Sequence, residues 1–85
     1  MSNTTYMVKA ILWQDDWRGY DEDERIVADG ILDYDDALLD ALSYIEYAEP
    51  DMPNMTIRRR DERTYVGYYD GEHLSYGIRA FVMEE

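Results

Sequence analysis

Apolar and polar residues alternate from Tyr6 to Trp13, YMVKAILW, which places Tyr6, Val8, Ala10 and Leu12 on one face of a predicted strand. The other face, with Met7, Lys9, Ile11 and Trp13, is also largely apolar. A strand buried on both sides, or one used at an interface, has this pattern. The next eleven residues, QDDWRGYDEDE, show no apolar period and are expected to form a long acidic loop. Alternation resumes in RIVADGIL, with Ile26, Ala28, Gly30 and Leu32 on one face, so the two strands are expected to form a long-looped antiparallel hairpin.

A helix follows. Asp33 is a good N-cap residue, and Asp36 three positions on resembles a capping box with the shorter acid. Tyr34, Ala37, Leu38, Ala41, Leu42 and Ile45 recur with helical spacing and form a predicted core stripe. Asp35 and Asp36 suit the positive end of the helix dipole. Pro50 and Pro53 stop the helix near Tyr47 to Glu49. Beyond it, MTIRRR reads as a strand, DER as a tight turn and TYVGYY as a strand. Asp70-Gly71 is a hairpin signal leading into HLSYGIRAFVM. The order β-β-α-β-β-β predicts one α+β domain over residues 1–85, with an antiparallel sheet of four to five strands and the helix packed on one face. The pairing of Met55 to Arg60 stays undetermined at this point.

Charge changes the picture most. The chain of 85 residues carries 20 acids and 8 bases, a formal net charge of −12. Residues 1–51 hold 14 acids and 3 bases (net −11), and residues 52–85 hold 6 acids and 5 bases (net −1). Such a field repels nucleic acid and anionic membranes and attracts basic surfaces. Acidity alone also keeps a small protein dissolved. A hydrophobic fraction of 46% and an aromatic fraction of 14% are too high for a disordered acidic tail. The chain has no cysteine, so neither disulfides nor thiolate metal sites are expected. MSNTTYMVK is neither a basic leader nor a long apolar segment, and the expected location is cytoplasmic.

No catalytic constellation stands out, and no cofactor is expected. DDWRGYDEDERI misses the EF-hand pattern, because Trp17 takes a coordinating position and Gly19 comes one place early, so no metal site is expected. The single histidine, His73, has no spaced serine and acid partners, and there is no glycine-rich phosphate loop. Arg58, Arg59 and Arg60 precede Tyr65, Tyr68 and Tyr69, a combination that can hold single-stranded nucleic acid. On a strand, though, Arg58 and Arg60 share a face and Arg59 takes the other. Neutralisation of acids across the sheet is the favoured account of these arginines.

The acids themselves form the candidate site. On the helix, Asp36, Leu39, Asp40, Ser43, Glu46 and Tyr47 lie opposite the core stripe, with Asp36 and Asp40 about 6 Å apart along the axis. Duplex DNA presents one charge per roughly 1.7 Å of axis, a density that one helix alone does not reach. Flanked by Asp15, Asp16, Asp21, Glu22, Asp23 and Glu24, and by the Glu49-Pro50-Asp51 corner, the helix approaches it. Trp17, Tyr20, Leu39 and Tyr47 interrupt the carboxylates as apolar anchors, the arrangement of a protein interface in which charges steer and aromatics hold. The expected partner-binding set is thus Asp15, Asp16, Trp17, Tyr20, Asp21, Glu22, Asp23, Glu24, Asp36, Leu39, Asp40, Glu46 and Tyr47.

In size, charge and aromatics set among acids, the whole chain resembles the small acidic phage-encoded inhibitors, the anti-restriction and anti-CRISPR proteins, some of which mimic DNA. The resemblance implies a noncatalytic protein that occludes the basic nucleic-acid-binding surface of a restriction nuclease or CRISPR effector, without binding nucleic acid or membrane itself. It rests on general character and no motif, so no functional residue is carried over. A second expectation, from the two-faced apolar strands, is a self-associating accessory or structural protein such as a homodimer.

Overall fold

The computed structural model describes residues 4–85, which form one five-stranded antiparallel sheet and one helix. In chain order these are β1 (Tyr6–Asp16), β2 (Gly19–Ile31), α1 (Tyr34–Tyr47), β3 (Thr56–Arg59), β4 (Thr64–Asp70) and β5 (Leu74–Glu84). The strands lie in the order β2-β1-β5-β4-β3. The α+β class and the β-β-α-β-β-β order are as expected from the sequence. The helix leaves one edge strand, crosses a face of the sheet, and delivers the chain to the other edge. Met55 to Arg60, whose pairing the sequence left open, supplies that second edge, pairing with β4 through Arg58↔Val66 and Arg59↔Tyr65.

The helix forms where its stripe predicts. Asp33 caps it, its carboxylate accepting from the Asp35 N–H at 3.0 Å. Among the described residues no reciprocal bond from Asp36 completes a capping box. Ala37, Leu38, Ala41 and Ile45 are buried, whereas Leu42 is only half-buried at the margin of the stripe. Tyr34 packs edge-on against Tyr6 and donates its hydroxyl to the Glu62 carbonyl, fixing the helix start.

Under the helix the sheet presents small residues. Ala10 and Ala80 are cross-strand partners, and both are fully buried along with Ala37 and Ala41. Val8, Ile78 and Val82 complete the floor. Ile45 lies over Gly67, where a Cβ would come within 2.5 Å of the isoleucine Cγ2. Four alanines and a glycine thus set how closely helix and sheet approach, and dispersion between packed surfaces falls off steeply with such gaps.

The largest departure from the sequence expectation is the first hairpin. Gln14 to Glu24 is no loop: β1 continues to Asp16, β2 starts at Gly19, and only Trp17 and Arg18 lie between. Gly19, at φ 122°, makes the backbone step that closes so short a turn. The Asp16 carboxylate accepts from the Arg18 N–H at 2.8 Å and from its guanidinium at 3.1 Å. Acidic residues are poor strand formers, but pairing with β1 along the full ladder overrides that preference. Further along, register shifts between Tyr6 and Lys9 change the phase of β2. Ile26 consequently faces away from the helix opposite Lys9, Ala28 sits opposite Val8, and Leu32 lies outside the strand and is exposed. The four do not share one face as the simple alternation predicts.

The second hairpin also differs in its turn. Asp70 pairs with Ser75, and Gly71 donates its N–H to the Leu74 carbonyl, so the chain reverses at Glu72-His73 and not at Asp70-Gly71. Gly71 does not have the positive φ which an Asp-Gly turn requires.

The close fit beneath α1 generates a stability prediction. Gly67→Ala forces a methyl against buried Ile45 and should lower the unfolding free energy by about 1–3 kcal/mol. Urea denaturation, with an unchanged slope, checks this.

Candidate functional site

Because Asp15 to Glu24 lie on paired strands, their side chains point alternately to the two sides of the sheet. Asp21 pairs with Gln14 and Asp23 with Leu12, which places both on the helix side. Tyr20, Glu22 and Glu24 pair with Asp15, Trp13 and Ile11 on the open side. Asp16 is on the helix side, bound into the turn, and Trp17 forms the tip. The expectation of one continuous acidic face over all thirteen residues is corrected by this alternation. Asp21 and Asp23 join the helix acids, while Asp15, Glu22 and Glu24 do not.

On the helix side the acids border a groove between β2 and α1. Arg25 of β2 donates to the Asp23 carboxylate at 2.8 Å and has the Tyr44 hydroxyl of α1 beside it. Asp23 first, and Tyr44 second, hold the guanidinium pKa above its usual value. At 100° per residue, Asp36, Asp40 and Tyr47 fall on the outer surface of α1, on the Tyr44 side of it. Leu39 and Glu46 lie on the other side of that surface. Trp17 is 88% exposed, Tyr47 85%, Tyr20 61% and Leu39 60%. None of the four contributes to the core.

The groove widens beyond the end of α1 into a cleft of ≈ 460 Å³. Its walls carry Asp21, Asp23, Arg25 and Asp51, and its apolar lining includes Leu12, Met52, Pro53 and Leu74. Tyr76 is fixed there by donating its hydroxyl to the Pro53 carbonyl, and it stacks at 5.1 Å on Tyr69. Sequence reading placed Asp51 beside the helix acids but missed Leu12, Tyr76 and Met52, whose joint position depends on strand register. A greasy floor beneath carboxylate walls suits an aliphatic stem that ends in a cation. Among the described residues no group of histidine and acid side chains is arranged to hold a metal ion.

Hydrogen bonds to two carboxylates, Asp16 and Glu22, shape the tip electrostatically. The Arg18 N–H, followed by its guanidinium and the Gln14 amide, holds the Asp16 carboxyl below the usual range. The Tyr20 hydroxyl donates to Glu22 at 2.7 Å, and this bond to an anion pushes the phenol pKa upward. The arginines do not neutralise acids across the sheet as expected. Arg59 stacks on Tyr65 and donates to the Asp61 and Glu62 carbonyls. The ion pairs among the described residues are Lys9–Glu24, Arg18–Asp16 and Arg25–Asp23, and none uses Arg58, Arg60 or Arg79.

Two predictions follow from this geometry. Trp17→Ala and Tyr47→Ala should each change the unfolding free energy by less than about 0.5 kcal/mol, because neither side chain packs on the core. Chemical denaturation tests whether these aromatics are surplus to folding. The second concerns acid. A carboxyl whose pKa is depressed by folding adds stability above its unfolded value, near about 3.9, and that contribution is lost as pH falls through the folded pKa. Asp16→Asn should therefore lower the thermal midpoint at neutral pH, and the deficit should vanish in melts at about pH 2.

No helix among the described residues is long and apolar enough to cross a membrane. Comparison with protein-family models, with curated proteins and with solved structures finds no match, which leaves this surface as the ground for a functional reading.

Proposed function

We propose that the β2–α1 groove docks on a basic surface of a protein partner, one built to hold nucleic acid, and that the chain acts as a noncatalytic inhibitor by occupying it. The observation that carries this reading is the exposure of Trp17 at the hairpin tip and of Leu39 and Tyr47 on α1 among carboxylates. Solvation calls for acids; it does not call for two almost fully exposed aromatic side chains. Interfaces use such rings as anchors while charge accelerates and orients the encounter.

The partner class follows from charge. A groove or channel that binds the phosphate backbone offers closely spaced arginine and lysine, and an acidic ridge can compete for it. Asp21 and Asp23 on the helix side of β2, and Asp36 and Asp40 on the outer surface of α1, supply two sets of negative charge. A restriction nuclease or CRISPR effector is the partner type this surface suits, and the cytoplasm is where the two would meet. The cleft beside Asp51 is the natural receptor for one arginine or lysine side chain of that partner.

Affinity capture from a host lysate, followed by mass spectrometry, tests the reading. The native chain should retain a nuclease or DNA-handling complex. A variant with Asp21, Asp23, Asp36 and Asp40 all changed to Lys should retain none, although it remains folded by circular dichroism. Against the captured partner, Trp17→Ala or Tyr47→Ala should weaken binding by about 10-fold or more. Equal retention by the native and reversed chains removes the proposal.

A further inference from the structure

The two edges of the sheet differ in length. β3 ends one side after four residues, and its Arg59 folds back onto the Asp61 and Glu62 carbonyls. β2 ends the other with thirteen, and every residue from Gly19 to Ile26 is exposed. Among the described residues no strand pairs with its outer side. A long uncovered edge is where another chain can add a strand.

A bond just beyond the strands fixes which backbone groups of β2 are free. The Glu85 N–H donates to the Thr5 carbonyl, and bonded pairs alternate along an antiparallel ladder. Ile11 and Trp13 therefore bond to β5, whereas Ala10, Leu12 and Gln14 bond to β2. Their partners Arg25, Asp23 and Asp21 use their backbone groups inward, so those of Tyr20, Glu22, Glu24 and Ile26 point off the sheet. The Glu22 N–H agrees, donating to the Asp21 carboxylate at 3.0 Å instead of to β1. The free run is bounded by the Trp17-Arg18 turn at one end. At the other, the register shifts begin and Glu85 takes the Gly30 N–H at 3.0 Å.

Side chains along this run decide what can pair there. The bases of the β1–β2 hairpin, Lys9, Arg18 and Arg25, are each committed to a carboxylate, on Glu24, Asp16 and Asp23. Arg79 stands opposite Ile11 on β5, two strands in from the edge. Asp15, Asp21, Glu22 and Asp29 have no cation partner among the described residues. Of these, Asp21 and Glu22 lie within the free run, Asp21 on the helix side beside the Asp51 cleft and Glu22 on the open side. Pairing of β2 with β2 of a second copy would set acid beside acid, and nucleic acid meets the same carboxylates. A basic strand meets unmatched carboxylates on both sides of the sheet.

We infer that the β2 edge between Tyr20 and Ile26 takes an extended basic segment of the partner as a sixth strand. The inference rests on the basic partner proposed above and names the part of it that docks, a run with adjacent arginine or lysine residues. Neighbouring residues of a strand point to opposite sides, so one cation meets Asp21 and the next meets Glu22. The Asp21 carboxylate leaves the Glu22 N–H for that cation, and a main-chain carbonyl of the added strand takes its place. Tyr20, exposed on the same side as Glu22, offers a ring face to an arginine. Main-chain bonds supply affinity at this edge, and the carboxylates select the sequence that adds.

Amide hydrogen exchange of the full chain tests this with a synthetic peptide of about nine residues, threonine and valine around a central Arg-Lys-Arg run. The N–H groups of Tyr20, Glu22 and Glu24 should exchange about 10-fold or more slowly once the peptide is saturating. The same peptide N-methylated at its central amides keeps its charge but cannot join a ladder, and should bind at least about 10-fold more weakly. Asp21→Lys with Glu22→Lys, both at exposed positions, should lose a similar factor toward the unmethylated peptide. Equal affinity for the two peptides, or unchanged exchange at the three amides, would overturn the inference. Capture of a nuclease by the native chain, without protection of those amides in the complex, would remove strand addition and leave the docking reading standing. Protection by the peptide without such capture would support strand addition and remove the nucleic-acid-handling partner.

Discussion

Everything in this molecule hangs on how closely one helix can lie on its sheet. Ala37 and Ala41 above, with Ala10 and Ala80 below, remove the side-chain layer that would ordinarily separate the two. Ile45 settles into the space that Gly67 leaves. A small core has few large side chains to bury and depends correspondingly on the quality of fit. Since α1 is also the crossover between the two edge strands, its seating sets where both edges lie. The β2–α1 groove, with Asp23, Arg25 and Tyr44 meeting across it, is a by-product of that seating.

The sheet's two sides are then used differently. One holds the core and, past its margin, the acidic groove; the other carries Ile11, Trp13, Val66, Tyr68 and Phe81 with no element among the described residues over them.

Much of the fold was legible because its signals are local. The stripe from Tyr34 to Ile45, the Asp33 cap and the prolines after Glu49 specify α1 without reference to other elements. The first hairpin was not legible, because Gly19 to Glu24 is held in a strand by β1 and not by its own composition. That one misreading carried into the site: acids expected on a loop were grouped together, while strand geometry sends Asp21 and Asp23 one way and Glu22 and Glu24 the other. The exposure of Trp17, Leu39 and Tyr47 was readable from spacing. The cleft was not, since Leu12, Tyr76 and Met52 come together only through sheet register and the corner after the helix. The isolation of Arg58 and Arg79 depends on register as well, because their cross-strand neighbour is Val66.

Length mismatch between helix and sheet has a dynamic meaning. Fourteen residues of helix cover about 21 Å, whereas the body is 52 Å long. The buried cluster lies under α1, and beyond it the ladder is overlaid chiefly by the Met52–Pro53 corner. Amide protons near Trp17 and His73 should therefore exchange with solvent through local opening, while those of Ala10 and Ala80 wait for global unfolding. On the proposed reading, recognition falls in part to the softer half of the molecule, where a bound partner would itself quench the fraying.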